Sequence, residues 1–159
     1  MSGSPTSEDD LGQPVRLPAS IGRVVSLVPS LTEAVAVTAP GLLVGATDWC
    51  THPADLDVPR IGGTKNPRVA DVLDLAPDLV IANEEENRQP DIDALREAGA
   101  AVWVTAPESL PAALVSLERV LAACGLDRPA WLDAASASWA SAYTGPRRRA
   151  VVPIWRRPW

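Results

Sequence analysis

Arg23-Val24-Val25-Ser26-Leu27-Val28-Pro29-Ser30-Leu31-Thr32-Glu33 is the stretch on which the fold turns. Its first half is a short apolar run rich in β-branched residues, the pattern of a buried strand. Its second half bends directly into a helix. Ser30 and Glu33 have the S-x-x-E spacing of a capping box, and Pro29 discourages helix upstream. A strand that runs straight into a helix puts the helix N-terminus at the strand's carboxyl end. In open α/β sheets that end is where ligands bind. Taken alone, the stretch reads as a well-capped helix without a ligand; the rest of the chain shifts that balance.

Downstream, the helix is expected to run to about Thr38, where Pro40-Gly41 stops it. Leu42-Leu43-Val44-Gly45-Ala46 reads as a second strand and Val58 to Ile61 as a short third, with Gly62-Gly63 as a turn. Asn66-Pro67 looks like a helix start, Asn as cap and Pro in the first position. Leu79-Val80-Ile81-Ala82 and Ala101-Val102-Trp103-Val104 are further strands. Between them lie the acidic loop Asn83-Glu84-Glu85-Glu86-Asn87 and a helix carrying Ile92, Leu95 and Ala98. Ser109 caps a helix with Leu110, Leu114, Leu117, Leu121 and Cys124 on one face. A last helix runs from about Asp127 to Tyr143, with Leu132, Ala135, Trp139 and Ala142 at helical spacing. Strands alternating with helices indicate a parallel sheet with right-handed crossovers, an α/β Rossmann-like lobe with flanking helices.

Upstream, residues 1–20 are expected to form a disordered acidic tail and an edge hairpin that turns at Gly12. Residues 21–126 are the lobe and 127–145 a connecting helix. In 146–159, Ala150-Val151-Val152-Pro153-Ile154-Trp155 reads as the first strand of a second lobe that the sequence does not include.

The chain of 159 residues is long enough for one domain with a proper core. Its net charge is −6 and no basic stretch interleaves with aromatics, which argues against a nucleic-acid partner. The two cysteines, Cys50 and Cys124, match no metal or redox spacing. No apolar run reaches the length of a membrane span, and the polar N-terminus does not resemble a secretory signal. There is no G-x-S-x-G, no G-x-G-x-x-G and no phosphate-binding P-loop, so hydrolase, dinucleotide and nucleotide sites are not indicated. His52 is the only histidine. With Asp48 and one of Glu84, Glu85 or Glu86 it could form a mixed nitrogen and oxygen metal site, but a hydrogen-bonded loop histidine is the simpler reading, and no tightly held metal is expected.

Several segments match one family in order: Arg23 to Glu33, Val44-Gly45, His52-Pro53, Arg60-Ile61-Gly62-Gly63 and Leu75 to Ala82. They resemble the substrate-binding proteins of iron-siderophore and vitamin B12 ABC importers, in which two α/β lobes are joined by one long helix. The resemblance covers about residues 10 to 159. It implies a non-enzymatic protein without a resident cofactor, monomeric when full length, that binds a large chelate between its lobes. Cobalamin stands ahead of a ferric siderophore or haem as transported ligand, and an ABC permease is the implied partner. A cytosolic corrinoid- or metal-handling enzyme on the same scaffold is the alternative. The family implies the periplasm or cell surface; the lack of a recognisable signal leaves the cytoplasm open.

In the vitamin B12-binding members a pocket aromatic falls on Trp49, where a flat indole can pack on a macrocycle. A second pocket tryptophan falls on Thr64. The acidic residue offered to the permease falls on Ala70, with Asp71 beside it. The expected ligand-contacting set is Pro29, Ser30, Trp49, His52, Thr64, Glu84 and Glu85.

Overall fold

Val24, Val25 and Ser26 are fully buried, and the sheet is assembled on either side of them. The computed structural model describes residues 6–141, 145–146 and 149–151. The N-terminal hairpin pairs β1 (Thr6–Glu8) antiparallel with β2 (Pro14–Arg16). The main sheet is built from β3 (Val24–Ser26), β4 (Leu43–Ala46), β7 (Leu79–Asn83) and β8 (Val102–Thr105). Its order is β4-β3-β7-β8, and every pairing in it is parallel. β5 (Gly62–Gly63) and β6 (Asn66–Pro67) form a separate small antiparallel pair. The helices are α1 (Pro29–Thr38), α2 (Val69–Asp74), α3 (Gln89–Glu97), α4 (Leu110–Ala123) and α5 (Ala130–Ala140). The expected parallel α/β lobe is thus the observed one. Its core strands are buried on both faces, which is why they read as continuous apolar runs rather than alternating ones.

Four local expectations differ from the structure. The hairpin begins at Thr6, inside the segment read as a tail. Its acidic residues are not merely solvated. The Asp9 carboxylate is buried, accepts the N–H groups of Leu11 (3.0 Å) and Gln13 (2.9 Å), and pairs with Arg96 at 2.9 Å. Asp10 takes the Ser116 hydroxyl and the Arg119 guanidinium, and its own N–H donates to the Val104 carbonyl of edge strand β8. Val58 to Ile61 shrinks to a single bridge between Arg60 and Ala46, because Pro59 has no N–H to give to a ladder. Asn66-Pro67 is strand rather than helix start; α2 begins two residues later, without a side-chain cap. In α5 only Leu132 is fully buried, and Trp139 is 53% exposed, so it does not belong to the buried face its spacing suggested. Of the segment read as the start of a second lobe, 147–148 and 152–159 lie outside the described residues, as do 142–144 at the end of the connecting helix.

Cys124 ends α4 inside the core, with Leu121 and Leu132 among its companions there. Burial pushes its thiol up from 9.0 to about 12. Between those values the unfolded chain releases this proton while the folded chain keeps it. The stability associated with Cys124 is therefore intact below pH 9 and falls as pH rises from there toward 12. Urea unfolding between pH 8 and 10.5 is expected to show a loss above pH 9 that is shallower in Cys124→Ala. Equal slopes in the two proteins would rule out this thiol as the source.

Candidate functional site

The carboxyl ends of the strands converge on the first turn of α1. Helix formation starts at Pro29, two residues earlier than the capping-box reading, with Val28 as the N-cap and no side-chain cap. Proline's fixed φ is pre-organised for the first helical position, and here it outweighs serine's preference for the cap. The Val28 carbonyl instead accepts both the N–H and the hydroxyl of Thr32, each at 2.9 Å. The Ser30 hydroxyl is thereby left exposed at the helix start.

Beside it, the turn after β7 is held by two asparagines. Asn83 accepts the N–H groups of Glu85 (2.9 Å) and Glu86 (3.1 Å) and donates to the Thr105 carbonyl (3.0 Å). Buried Asn87 donates to the carbonyls of Leu27 (3.2 Å) and Thr64 (2.9 Å) and accepts the Asn83 N–H. The acidic loop is therefore a fixed turn that presents three exposed carboxylates, and its backbone is tied to the strands on either side.

The loop after β4 is fixed from beneath. The Cys50 thiol lies buried between the hydroxyls of Thr32 (3.0 Å) and Thr47 (3.1 Å). The Arg60 guanidinium donates to the carbonyls of Thr47, Cys50 and Leu56. On this support Trp49 stands 67% exposed, which for the largest apolar side chain is an open platform rather than a loop anchor. Its indole nitrogen comes close to Gly63, where an added Cβ would sit 3.5 Å from it and 2.7 Å from the Asn66 side-chain oxygen. The backbone at Gly63 thus passes close under the Trp49 ring edge.

Between α1, α4 and α5 a groove of about 720 Å³ opens onto this edge. Val28, Pro29, Leu31, Ala34 and Val37 line one wall, Pro107, Ala113 and Leu117 the other, with Trp131 also in the lining. The Trp131 indole N–H donates to Thr38 at 2.9 Å and ties α5 to the end of α1. Polar groups enter from Ser30, Glu33, Asn83, Glu86, Thr105 and Ser116. Apolar walls with a few converging polar groups are the ordinary make-up of a small-molecule site, and the volume lies in the usual range.

No family model matches the chain. A curated protein, the ABC transporter substrate-binding lipoprotein YvrC of Bacillus subtilis strain 168, is 32% identical over 129 residues. This chain is related to the substrate-binding proteins of ABC importers. The aligned region is 79% of this chain and 41% of YvrC. Among solved structures, a periplasmic heme-binding protein from Pseudomonas aeruginosa matches with a TM-score of 0.66 at 28% identity, over 76% of this chain and 43% of its own. The periplasmic vitamin B12-binding protein of Vibrio cholerae has a TM-score of 0.61 at 22% identity, over 76% and 47%. The iron-uptake ABC transporter substrate-binding protein PiuA of Streptococcus pneumoniae has 0.65 at 21%, over 77% and 45%. The last two establish likeness of fold alone. The chain spans less than half the length of these substrate-binding proteins. Among the described residues no helix is long and apolar enough to cross a membrane.

The expected residues fall into two groups. Pro29 and Ser30 line the groove. Trp49, Thr64, Glu84 and Glu85 stand outside it: Trp49 comes close to Gly63, Asn87 donates to the Thr64 carbonyl, the Lys65 ammonium to the Glu85 carbonyl, and the Glu84 N–H to the Thr105 carbonyl. His52 is exposed, its Nδ1 3.2 Å from the Thr51 hydroxyl. Among the described residues, no three of His, Cys, Asp and Glu gather as a metal site. Sequence reasoning missed the groove walls, Val37, Ala113 and Trp131 among them, and assigned Glu33 to a cap. The signal was there in α4. Its apolar positions span more of the helix than the sheet covers, and Leu114 and Leu117 are left only half-buried.

Proposed function

We propose that this chain is a lobe of a non-enzymatic binding protein that captures a large metal chelate for an ABC importer, outside the cytoplasm, with a corrinoid as first candidate. The observation that carries this reading is the pairing, at the carboxyl edge of the sheet, of an apolar groove with the exposed indole of Trp49. Trp49 packs flat on the macrocycle, Pro29 and Ser30 meet its rim from the groove, and Thr64, Glu84, Glu85 and His52 accept or donate hydrogen bonds around it. The ligand is cargo rather than cofactor, and the partner is the importer's permease. Haem is the second reading, favoured by the likeness to the heme-binding protein of Pseudomonas aeruginosa.

Titration with cyanocobalamin, a ferric hydroxamate and haem, followed by ligand absorbance and tryptophan quenching, tests this. A corrinoid is expected to bind and Trp49→Ala to weaken it by about tenfold, the equivalent of roughly 1.4 kcal/mol. Binding of haem or the ferric hydroxamate with no response to any corrinoid would move the assignment to that ligand. No response to any of the three would end the chelate-binding reading.

A further inference from the structure

The ionisable groups that line the groove are all of one sign. They are Glu33 and Glu86; no Lys, Arg or His belongs to the lining. Both side chains are exposed, and among the described residues neither takes part in a hydrogen bond or an ion pair. The other polar groups are already engaged. Asn83 and Thr105 bond each other, Thr105 also donates to the Ala82 carbonyl, and Ser116 donates to Asp10. Lys65, outside the groove, is held to the Glu85 carbonyl. The groove can therefore offer a ligand two unpaired carboxylates and the Ser30 hydroxyl, set in apolar walls.

Two chemical consequences follow. The lining holds no His, Cys, Met or Tyr, the side chains that most readily ligate a chelated transition metal, so contact is made through the organic rim of the chelate. A rim carboxylate brought beside Glu33 and Glu86 against low-dielectric walls is repelled, whereas a rim amide N–H or a cation is attracted. We propose that Glu33 and Glu86 act as a charge filter: the groove admits chelates rimmed by carboxamides or other hydrogen-bond donors and rejects chelates rimmed by carboxylates. This rests on the chelate-binding reading and specifies which chelates satisfy it.

A matched pair of probes isolates the rim. Dicyanocobinamide and dicyanocobyrinic acid share one corrin ring with both axial positions filled; the first carries amides where the second carries carboxylates. Binding of each is measured to the whole chain, to Glu33→Gln/Glu86→Gln and to Asp93→Asn/Glu97→Gln. The last variant makes the same change in net charge on α3, whose residues do not line the groove. The amide probe is expected to bind the unaltered chain more tightly. The groove variant should narrow that gap by about five- to tenfold, as for two partly screened charge pairs, and the α3 variant should leave it unchanged. A gap that is absent, that persists in the groove variant, or that closes equally in both variants overturns the filter while leaving chelate binding standing. Failure of both probes to bind the unaltered chain at any concentration overturns the corrinoid assignment and the filter with it, and the haem and ferric hydroxamate titrations then decide the chelate-binding reading.

Discussion

Ile81→Ala is expected to lower the free energy of unfolding by about 3–4 kcal/mol, within the range for emptying a fully buried aliphatic site. Ile81 lies on β7, between β3 and β8, and is wholly buried. Its carbonyl accepts the Leu27 N–H, so the backbone around it is held in place and cannot collapse far into the space vacated. Urea unfolding gives the measurement, with an unchanged denaturant slope confirming that stability rather than compactness has moved. Val115→Ala, on the exposed side of α4, is the control, expected within about 0.5 kcal/mol of the parent. A loss below 1 kcal/mol for Ile81→Ala would mean that the centre of the sheet is not the centre of the core.

The second large effect is expected at Asp9. Its side chain is fully buried while its partner Arg96 remains 28% exposed, so removing the carboxylate leaves a cation that water can still reach in part. That discounts the cost of a broken buried pair, but the Leu11 and Gln13 N–H groups also lose their acceptor. Asp9→Ala should therefore cost about 2–3 kcal/mol, and Asp9→Asn, which keeps the shape and an acceptor oxygen, roughly half of that. Unfolding curves for the two variants at pH 7 decide it. Identical losses would show that the shape and the acceptor oxygen kept by asparagine contribute nothing, and that the whole cost lies in the lost charge.

The strands of the main sheet were legible because burial on both faces leaves no polar alternation to confuse the reading, as in Leu79 to Ala82. The parallel order followed from the spacing of the intervening helices. What could not be read was decided by competition between neighbouring residues. Ser30 carries a strong capping signal, yet Pro29 takes the first helical position and moves the start. Asn66-Pro67 satisfies a helix-start rule, but the Gly62–Gly63 strand pairs with it first. Thr6 to Asp10 looks like a solvated acidic tail because the cations that organise it, Arg96 and Arg119, lie far along the sequence. Of the candidate site, the placement of Pro29 and Ser30 at the start of α1 was legible. The groove was not, because it is the space between helices that each look complete, and no spacing within one helix reports what its neighbour leaves uncovered.

The clasp made by Asp9 and Asp10 also sets an order of events. Their partners stand 87 and 109 residues further on, so the hairpin leaves the ribosome long before Arg96 and then Arg119 exist. Closing so long a loop adds little free energy over a shorter one, about 0.6 kcal/mol per doubling, but it has to wait for the chain to be made. The hairpin, made well before its partners, is thus among the last elements to dock. Until it does, the outer edge of β8 stays open to pairing with a neighbouring chain. A nascent chain exposed only as far as Thr105 would hold out the parallel sheet with that side bare, and one exposed beyond α4 would also hold out Arg119, which docks the hairpin beside β8.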